Sequence, residues 1–584
     1  VWPFGKKNAR MIKKRWKLKV SDEKAAEALQ SELKIHPVLC RLLVQRGITT
    51  FDASKQFFRS NKDHLHDPFL MKGMELAVNR IHRAIEANEK ILIFGDYDVD
   101  GTTAVAVVFT YFQRLHPNIL FYVPNRFTEG YGVSKKGIDY AHEQGVGLII
   151  TLDCGIKSML LVDEANRMGM EVIICDHHLP DVELPKALAI LNPKQVDCPY
   201  PYKELCGCGI GYKLISAYAE RFDINREWVD SQLDLVATAI AADIVPITGE
   251  NRTLCVLGLN KANEHPSIPI SALKQISDMK KPFTISDLVF IIAPRVNAAG
   301  RMDDARKAVQ LFIEPNEEQA KELAKVLQLD NNERRDVDRQ TSQEALEQIE
   351  HNPLMLNRRS TVVYQSHWHK GVVGIVASRL IDHYYRPTIV LTQSNGKITG
   401  SARSIKGFNL YDGLSRCADL LETYGGHYFA AGLTLAEEQL PEFIERFETV
   451  VCDMVADDLF VPELEIDADL PLHHIQAPFM KLLDQFAPHG PDNMKPVFRT
   501  KGVYDFKGYS SVVKERHLRL SITADGHSNI TGIGFNLAHK LDIVKSGLPF
   551  DVVYHLEENE WNDKKTIQLK IIDVEAGNGP NFDV

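Results

Sequence analysis

Ile91–Gly101 reads ILIFGDYDVDG: four apolar residues run into three aspartates, Asp96, Asp98 and Asp100, spaced two apart. In an extended segment these side chains share one face, with roughly 7 Å between neighbours. Two unit charges at that separation repel by about 2.4 kcal/mol at an effective dielectric of about 20. An acidic turn in open water tolerates such crowding. A segment fixed to a core by ILIF needs compensation, and hard divalent cations supply it because they take carboxylate oxygens.

The surrounding chain has the rhythm of an α/β protein. The apolar runs ILIF (91–94), ILFYV (119–123), VGLIITL (146–152), EVIIC (171–175) and ALAIL (187–191) alternate with helical patterns. This spacing predicts βαβ units and a mostly parallel sheet, whose functional groups collect at the carboxyl ends of the strands. Acids and imidazoles stand at those ends: Asp153 in TLDCG, then Asp176, His177 and His178 in CDHHLP. Asp243 closes LVATAIAADIVP, which reads as a buried helix ending near Pro246. The set is of the kind that holds two metals about 3.5–4 Å apart.

Beyond the first domain, residues 314–350 are polar and charged with apolar residues at helical spacing, predicting one long helix or two in tandem between domains. A second α/β unit follows, with the apolar helix GVVGIVASRLI and the glycine-rich YGGHYFAAGLTL. Short strands such as PVFRTKGVYDF, HLRLSITAD, ITGIGF and KKTIQLKIIDV then predict a small barrel of the OB type. The expected domains are an N-terminal helical or mixed segment 1–70, a catalytic domain 71–313, the bridging helix 314–350, the second α/β domain 351–458 and the barrel 459–584.

Composition excludes some classes. The 584 residues imply about three to five domains, and 44% hydrophobic with 25% charged residues is ordinary for a soluble protein. No run of 18 apolar residues marks a membrane span, and no partner membrane is expected. The basic N-terminus lacks the apolar stretch of a secretory signal, and the first ten residues carry no usable pattern. Nine scattered cysteines suit a reducing, cytoplasmic setting. CPYPYKELCGCG lacks the second ligand pair of a zinc site, and KKRWKLK (13–19) reads as a solvated basic end. A net charge of −10 argues only weakly against a nucleic-acid partner, because binding depends on local patches and metals neutralise carboxylates.

GDYDVDGTTA, TLDCG, DHH and AADIVP together resemble the four motifs of the DHH phosphoesterase superfamily. APRVNAAGR (293–301), GIVASRL (374–380), GSARS (400–404) and GGHYFAAG (425–432) resemble the linker and DHH-associated domain of its RecJ branch, bacterial single-strand-specific 5′→3′ DNA exonucleases. The resemblance runs from about Trp16 to the barrel. It implies two cations, Mn²⁺ or Mg²⁺, one held by Asp96 and Asp98 with Asp153 bridging, the other by Asp100, Asp153, His177 and Asp243. It also implies an attacking water acidified between them, His178 beside the scissile phosphate, and Asp176 orienting the neighbouring imidazoles.

Arg295, Arg301 and Arg403 are candidate phosphate contacts, the alternative being surface salt bridges. Ser401 and the glycines around Gly426 allow close backbone approach, His427 is a candidate strand contact, and Arg126 in PNRFTEGYG is a candidate anchor for a terminal 5′ phosphate, with a surface salt bridge as its alternative too. Aromatic and basic residues of the barrel, among them Tyr504, Tyr509, Lys514 and Arg516, offer a single-strand surface. The implied activity is digestion of single-stranded DNA to 5′ mononucleotides in recombination and repair. A RecQ-type helicase and a single-strand binding protein are the implied partners. The alternatives are a DHH phosphodiesterase for short oligonucleotides or cyclic dinucleotides, and a non-catalytic scaffold. The barrel weighs against the first and the intact acid set against the second.

Overall fold

The five apolar runs form five parallel strands: Lys90–Gly95, Ile119–Tyr122, Val146–Leu152, Glu171–Cys175 and Ala189–Leu191. The structure is a computed structural model and describes residues 13–561 and 564–577, so the unpatterned first ten residues lie outside the described residues. The strand order across the sheet is 119–122, 90–95, 146–152, 171–175, 189–191. Burial on both faces explains the near-continuous apolar runs, since helices cover a parallel sheet from both sides. Three helices matter for the site: Val99–Gln113, Gly207–Arg221 and Leu233–Ala242. All three are apolar on nearly every face because they pack inside the domain.

The chain separates into two compact units. One holds Lys17–Pro294, Ala308–Lys321 and the chain from Glu465 onward; the other holds the described residues up to Trp16, Arg295–Lys307 and Glu322–Leu464. The charged stretch after residue 314 is a single helix, Glu317–Glu350, of 34 residues. At 1.5 Å per residue it is about 51 Å long. The second α/β unit has a five-stranded mixed sheet in the order 423–426, 430–435, 397–403, 388–394, 361–364. Only its last pair is parallel.

The C-terminal strands Phe498–Asp505, His517–Thr523, Ile530–Gly534, Phe550–Trp561 and Lys564–Ala576 pair in a ring. Tyr504 opposite Thr523 and Asp505 opposite Ile522 close it, which abolishes free edges as a five-stranded OB barrel requires. The N-terminal helices Glu23–Leu33, Pro37–Val44 and Phe51–Phe58 belong with this barrel. Leu29, Leu39, Leu42 and Leu43 share one core with Phe498, Leu520, Phe550 and Leu569, more than 400 residues later. The basic run 13–19 is largely exposed to solvent, as expected, yet it is held in place. Arg15–Leu18 is a strand on Glu463–Ile466, with Arg15 on Glu463 at 3.1 Å and Lys19 on Asp467 at 3.0 Å, because acids line the facing strand.

Barrel and catalytic domain meet inside the first unit at Arg252, which is 3% exposed. Its guanidinium donates to Phe57 O, Gln485 O, Phe486 O, Ala487 O and Pro488 O at 2.8–3.3 Å. It also stacks 3.7 Å above the Phe57 ring. Burial pushes its pKa down to about 10, so it stays charged at neutral pH. Arg252→Met should destabilise the protein by at least about 3 kcal/mol, since each carbonyl left without a donor costs ~1–3 kcal/mol. Equilibrium urea unfolding measures this, and a loss under about 1 kcal/mol would refute the clamp.

Candidate metal centre

Sheet register places the acids. Gly95 pairs with Leu152 and Leu152 with Cys175, so Asp96, Asp153 and Asp176 leave three adjacent strands at the same edge. The expectation that Asp96, Asp98 and Asp100 share one face of an extended segment is corrected here. The strand ends at Gly95, Asp98 caps a helix, and Asp100 lies in that helix's first turn. The Asp98 carboxylate accepts from Gly101 N at 3.0 Å, satisfying a helix-start amide, and the positive end of the helix favours both acids. Gly101 is required there, because a Cβ would stand 2.4 Å from Asp96 O.

Backbone amides orient Asp96 and Asp100. Asp96 Oδ1 accepts from Gly132 N at 3.0 Å. Asp100 accepts from Gly207 N at 2.6 Å and Cys208 N at 2.8 Å, at the start of the Gly207–Arg221 helix. Asp153 takes a left-handed backbone, φ 59°, and lies so close to Gly207 that a Cβ there would be 2.5 Å from its own. Asp243 follows the last turn of the Leu233–Ala242 helix.

His177 gathers these acids. Its Nε2 is 3.1 Å from Asp153 Oδ1, 3.6 Å from Asp243 Oδ2 and 3.9 Å from Asp100 Oδ2. Burial pushes its pKa down to about 4, so it faces the carboxylates as a neutral imidazole. Asp96 Oδ2, Asp153 Oδ1, Asp243 Oδ2 and both His177 ring nitrogens are buried without a hydrogen-bond partner. Of these, Asp153 Oδ1 and Asp243 Oδ2 lie 3.1 and 3.6 Å from His177 Nε2, and such a group of orphaned polar atoms fits a cation: ligand atoms each about 2.0–2.2 Å from an ion stand roughly 3 Å apart.

His178 takes a different environment from its neighbour. Its Nδ1 donates to Asp176 Oδ1 at 2.7 Å, and its Nε2 lies 3.0 Å from the Tyr131 hydroxyl. Tyr131 donates to Asp153 O at 3.2 Å, so its oxygen receives the Nε2 proton. Burial alone would lower the His178 pKa; the hydrogen bond and charge of Asp176 outweigh it and hold the pKa above its ordinary value. Asp176 orients His178 alone, not both imidazoles, because its second oxygen is taken by Ile156 N at 2.9 Å and His177 turns toward Asp153. Tyr131 escaped the sequence reading. Its signal was the flanking Gly130 and Gly132, both at positive φ, which present it from the loop that also carries Arg126. The Arg126 guanidinium lies 4.9 Å from the Tyr97 ring centroid, beside the acids. Cys198, Cys206 and Cys208 are buried, and the candidate metal groups among the described residues contain no cysteine.

The remaining phosphate candidates belong to the other unit. Ser401 and Arg403 lie on the strand Lys397–Arg403. Both crowd Gly374 at the start of the Val373–Tyr384 helix, where a Cβ would be 3.2 Å from Ser401 Oγ and 3.0 Å from Arg403 Nη2. Arg301 donates to Gly371 O at 3.5 Å, in the turn entering the same helix, and Arg295 donates to Gln328 at 2.8 Å. Gly426 has φ 151°, and His427 is exposed at the adjoining hairpin turn.

The electrostatics make a prediction. Asp96, Asp153 and Asp243 have pKa values pushed well above the carboxylate range, first by burial and then by neighbouring carboxylates. The metal-free folded state therefore binds more protons than the unfolded chain above the ordinary carboxylate pKa, and its stability falls as pH rises through that window. In EDTA the melting midpoint should drop from about pH 5 to about pH 8, and Mn²⁺ should raise it more at the higher pH. Asp153→Asn should raise the EDTA midpoint and blunt the Mn²⁺ effect. Equal Mn²⁺ shifts at both pH values would refute this account.

The chain matches the DHH family N-terminal domain over residues 90–240, the DHHA1 domain over 358–452 and the RecJ OB domain over 466–573. It is 36% identical over 575 residues to the single-stranded-DNA-specific exonuclease RecJ of Bacillus subtilis (strain 168), covering 98% of this chain and 72% of that protein. Its fold is similar to that of RecJ from Thermus thermophilus in complex with Mn²⁺. The TM-score is 0.82 at 25% identity, over 96% of this chain and 80% of that one. The same enzyme in complex with Mg²⁺ gives a TM-score of 0.76 at 24% identity, over 96% and 78%. The chain belongs to the RecJ family of the DHH superfamily.

Proposed function

We propose that this protein is a single-stranded-DNA-specific exonuclease that releases 5′ mononucleotides from the 5′ end by metal-dependent hydrolysis. The observation that carries the reading is the convergence of Asp100, Asp153 and Asp243 on the neutral His177 at 3.1–3.9 Å. Asp96, Asp98 and Asp153 would hold one divalent cation, Mn²⁺ or Mg²⁺, and Asp100, Asp153, His177 and Asp243 the other. When bound, the cations neutralise the carboxylates and acidify the attacking water.

The protein's own groups do the rest. His178 stands outside the proposed ligand set, its Nδ1 bonded to Asp176, where it would protonate the leaving oxygen or stabilise its charge. Asp176 fixes the ring and its charge, as a buried acceptor on an imidazole does. Arg126 supports the reading of a 5′-phosphate anchor, with Ser401 and Arg403 as further phosphate contacts and Arg295, Arg301, Gly426 and His427 along the strand. The sequence division 1–70, 71–313, 314–350, 351–458 and 459–584 is proposed with it, the helices of 1–70 packing into the barrel's core rather than forming one of their own. No helix among the described residues is long and apolar enough to cross a membrane. A cytoplasmic setting, with a RecQ-type helicase and a single-strand binding protein as partners in recombination and repair, completes the proposal.

Two experiments test it. Single-stranded DNA labelled at the 3′ end should shorten from the 5′ side in Mn²⁺ or Mg²⁺ while blunt duplex resists; immediate release of the label would overturn the polarity. Asp176→Asn should lower kcat by about 10²–10⁴, the usual range for losing a positioned proton donor, with little change in KM. Combined with His178→Ala it should cost no more than His178→Ala alone, because the two act as a unit. Additive losses would separate Asp176 from His178.

A further inference from the structure

Lys194 is a cation beside the candidate metal centre that the proposed mechanism leaves unused. The strand Ala189–Leu191 lies next to Glu171–Cys175, and Asp176 N donates to Leu191 O at 3.1 Å, so the two strands end together. The turn after Leu191 is fixed to the histidine pair. Asn192, fully buried, donates from its side chain to His178 O at 2.9 Å and accepts from Lys194 N at 2.8 Å. Gln195, also buried, donates to Ile190 O at 3.0 Å and to Asn192 O at 3.1 Å. Of residues 191–195, Lys194 alone is not buried.

The partner of Lys194 sits on another segment that serves the centre. Its Nζ lies 3.1 Å from Glu204 Oε2, in the stretch CPYPYKELCGCG that no chemistry has claimed. Three residues on, Gly207 N holds Asp100. Glu204 O accepts from the Asn251 side-chain amide at 2.6 Å, and the same amide donates to Pro246 O, three residues after Asp243. The ion pair thus links the segments that carry His178, Asp100 and Asp243. Its positive end is felt in the cluster: burial and the carboxylates of Asp100 and Asp98 push the Asp243 pKa up, and the Lys194 ammonium opposes them.

Glu204 alone is a poor reason to hold a lysine on so rigid a turn. The Glu204 side chain is 44% exposed, and an ion pair with a solvated partner adds little stability, which makes it easy to exchange. The centre offers a better partner. When ionised, Asp96, Asp98, Asp100, Asp153 and Asp243 carry five negative charges; two divalent cations offset four of them, and a phosphodiester brings one more. An ammonium on a flexible stem, outside the ligand set, meets that added charge without displacing a carboxylate, and lysine binds phosphate as a point charge. We propose that Lys194 leaves Glu204 to contact the reacting phosphate of the single strand and stabilises the charge that grows on its oxygens during hydrolysis. This rests on the nuclease reading above and adds to it a substrate contact outside the proposed ligand and phosphate-binding residues.

The test separates a phosphate contact from a structural bridge. Hydrolysis of labelled oligothymidylate in Mn²⁺ is measured beside calorimetric binding of 5′-thymidylate in Mn²⁺. Lys194→Met, which keeps the apolar stem, should lower kcat by about 10²–10³, the usual effect of losing one charge-stabilising donor. It should weaken 5′-thymidylate binding by about tenfold, as loss of a charge-assisted hydrogen bond does. Its Mn²⁺ binding should not weaken and its melting midpoint should stay at the wild-type value, which shows the ligand set intact. Glu204→Gln breaks the same ion pair but leaves the ammonium in place, so it should keep wild-type kcat and wild-type 5′-thymidylate binding. Equal losses in Lys194→Met and Glu204→Gln, wild-type kcat in Lys194→Met, or weakened Mn²⁺ binding in that variant would each overturn the contact alone. A wild type that neither hydrolyses oligothymidylate nor binds 5′-thymidylate overturns the nuclease reading and the contact with it.

Discussion

Mutual repulsion among carboxylates held out of water is the constraint on which this structure turns. Asp96, Asp100, Asp153 and Asp176 are nearly or fully buried, and Asp243 joins them with a buried oxygen. Uncompensated, such a cluster drives itself apart or takes up protons. Asp176 escapes by hydrogen bonding to His178 and to Ile156 N, so its pKa falls below the ordinary value although burial alone would raise it. Asp100 is partly relieved by two helix-start amides. Asp96, Asp153 and Asp243 keep unmatched oxygens, which is the residual demand that a pair of cations satisfies.

The same constraint explains why the barrel is fastened to the catalytic domain. Asp243 sits on a connection rather than a strand, and a ligand on a loose connection would retreat from its neighbours. The following residues are tied down: Ile247 N donates to Pro491 O at 2.8 Å, and Gly490 lies so close that a Cβ would be 2.4 Å from Ile247 Cγ1. Asn251 donates to Pro246 O at 3.0 Å, and one residue on, Arg252 grips the 485–488 carbonyls. A turn from the C-terminal part of the chain thus buttresses the connection that carries Asp243. The N-terminal helices lie against the same barrel, so deleting the barrel would strip Leu29, Leu39, Leu42 and Leu43 of their core. Point substitutions are therefore the cleaner probe of its role.

Much was legible in the sequence because it is local. Five apolar runs are five strands, the charged stretch is one helix of 34 residues, and the strands expected after residue 459 close into a barrel. The errors have one origin, extrapolating a local pattern past the point where a neighbour intervenes. The two-residue spacing of Asp96, Asp98 and Asp100 read as strand, but Asp98 starts a helix because its carboxylate satisfies that helix's amide. The basic run 13–19 is largely exposed, as it read, but nothing local to it announced the acidic strand from residues 463–466 that pairs with it. Tyr131 carried no motif of its own and gained a role only where Asp153 and His178 came within reach of its hydroxyl.

By itself the sequence determined the chemistry: which residues are acids and imidazoles, and that they follow apolar runs whose carboxyl ends must gather in a parallel sheet. It did so because strand formation and burial depend on side chains a few positions apart. Only the tertiary structure decided the partition of labour among those residues. Two adjacent histidines entered different environments, since His177 faces Asp100, Asp153 and Asp243 while His178 is hydrogen-bonded to Asp176 and Tyr131. That division depends on side chains far apart in the chain meeting within a few ångströms. Electrostatic environment is a property of that meeting, not of the order of residues along the chain.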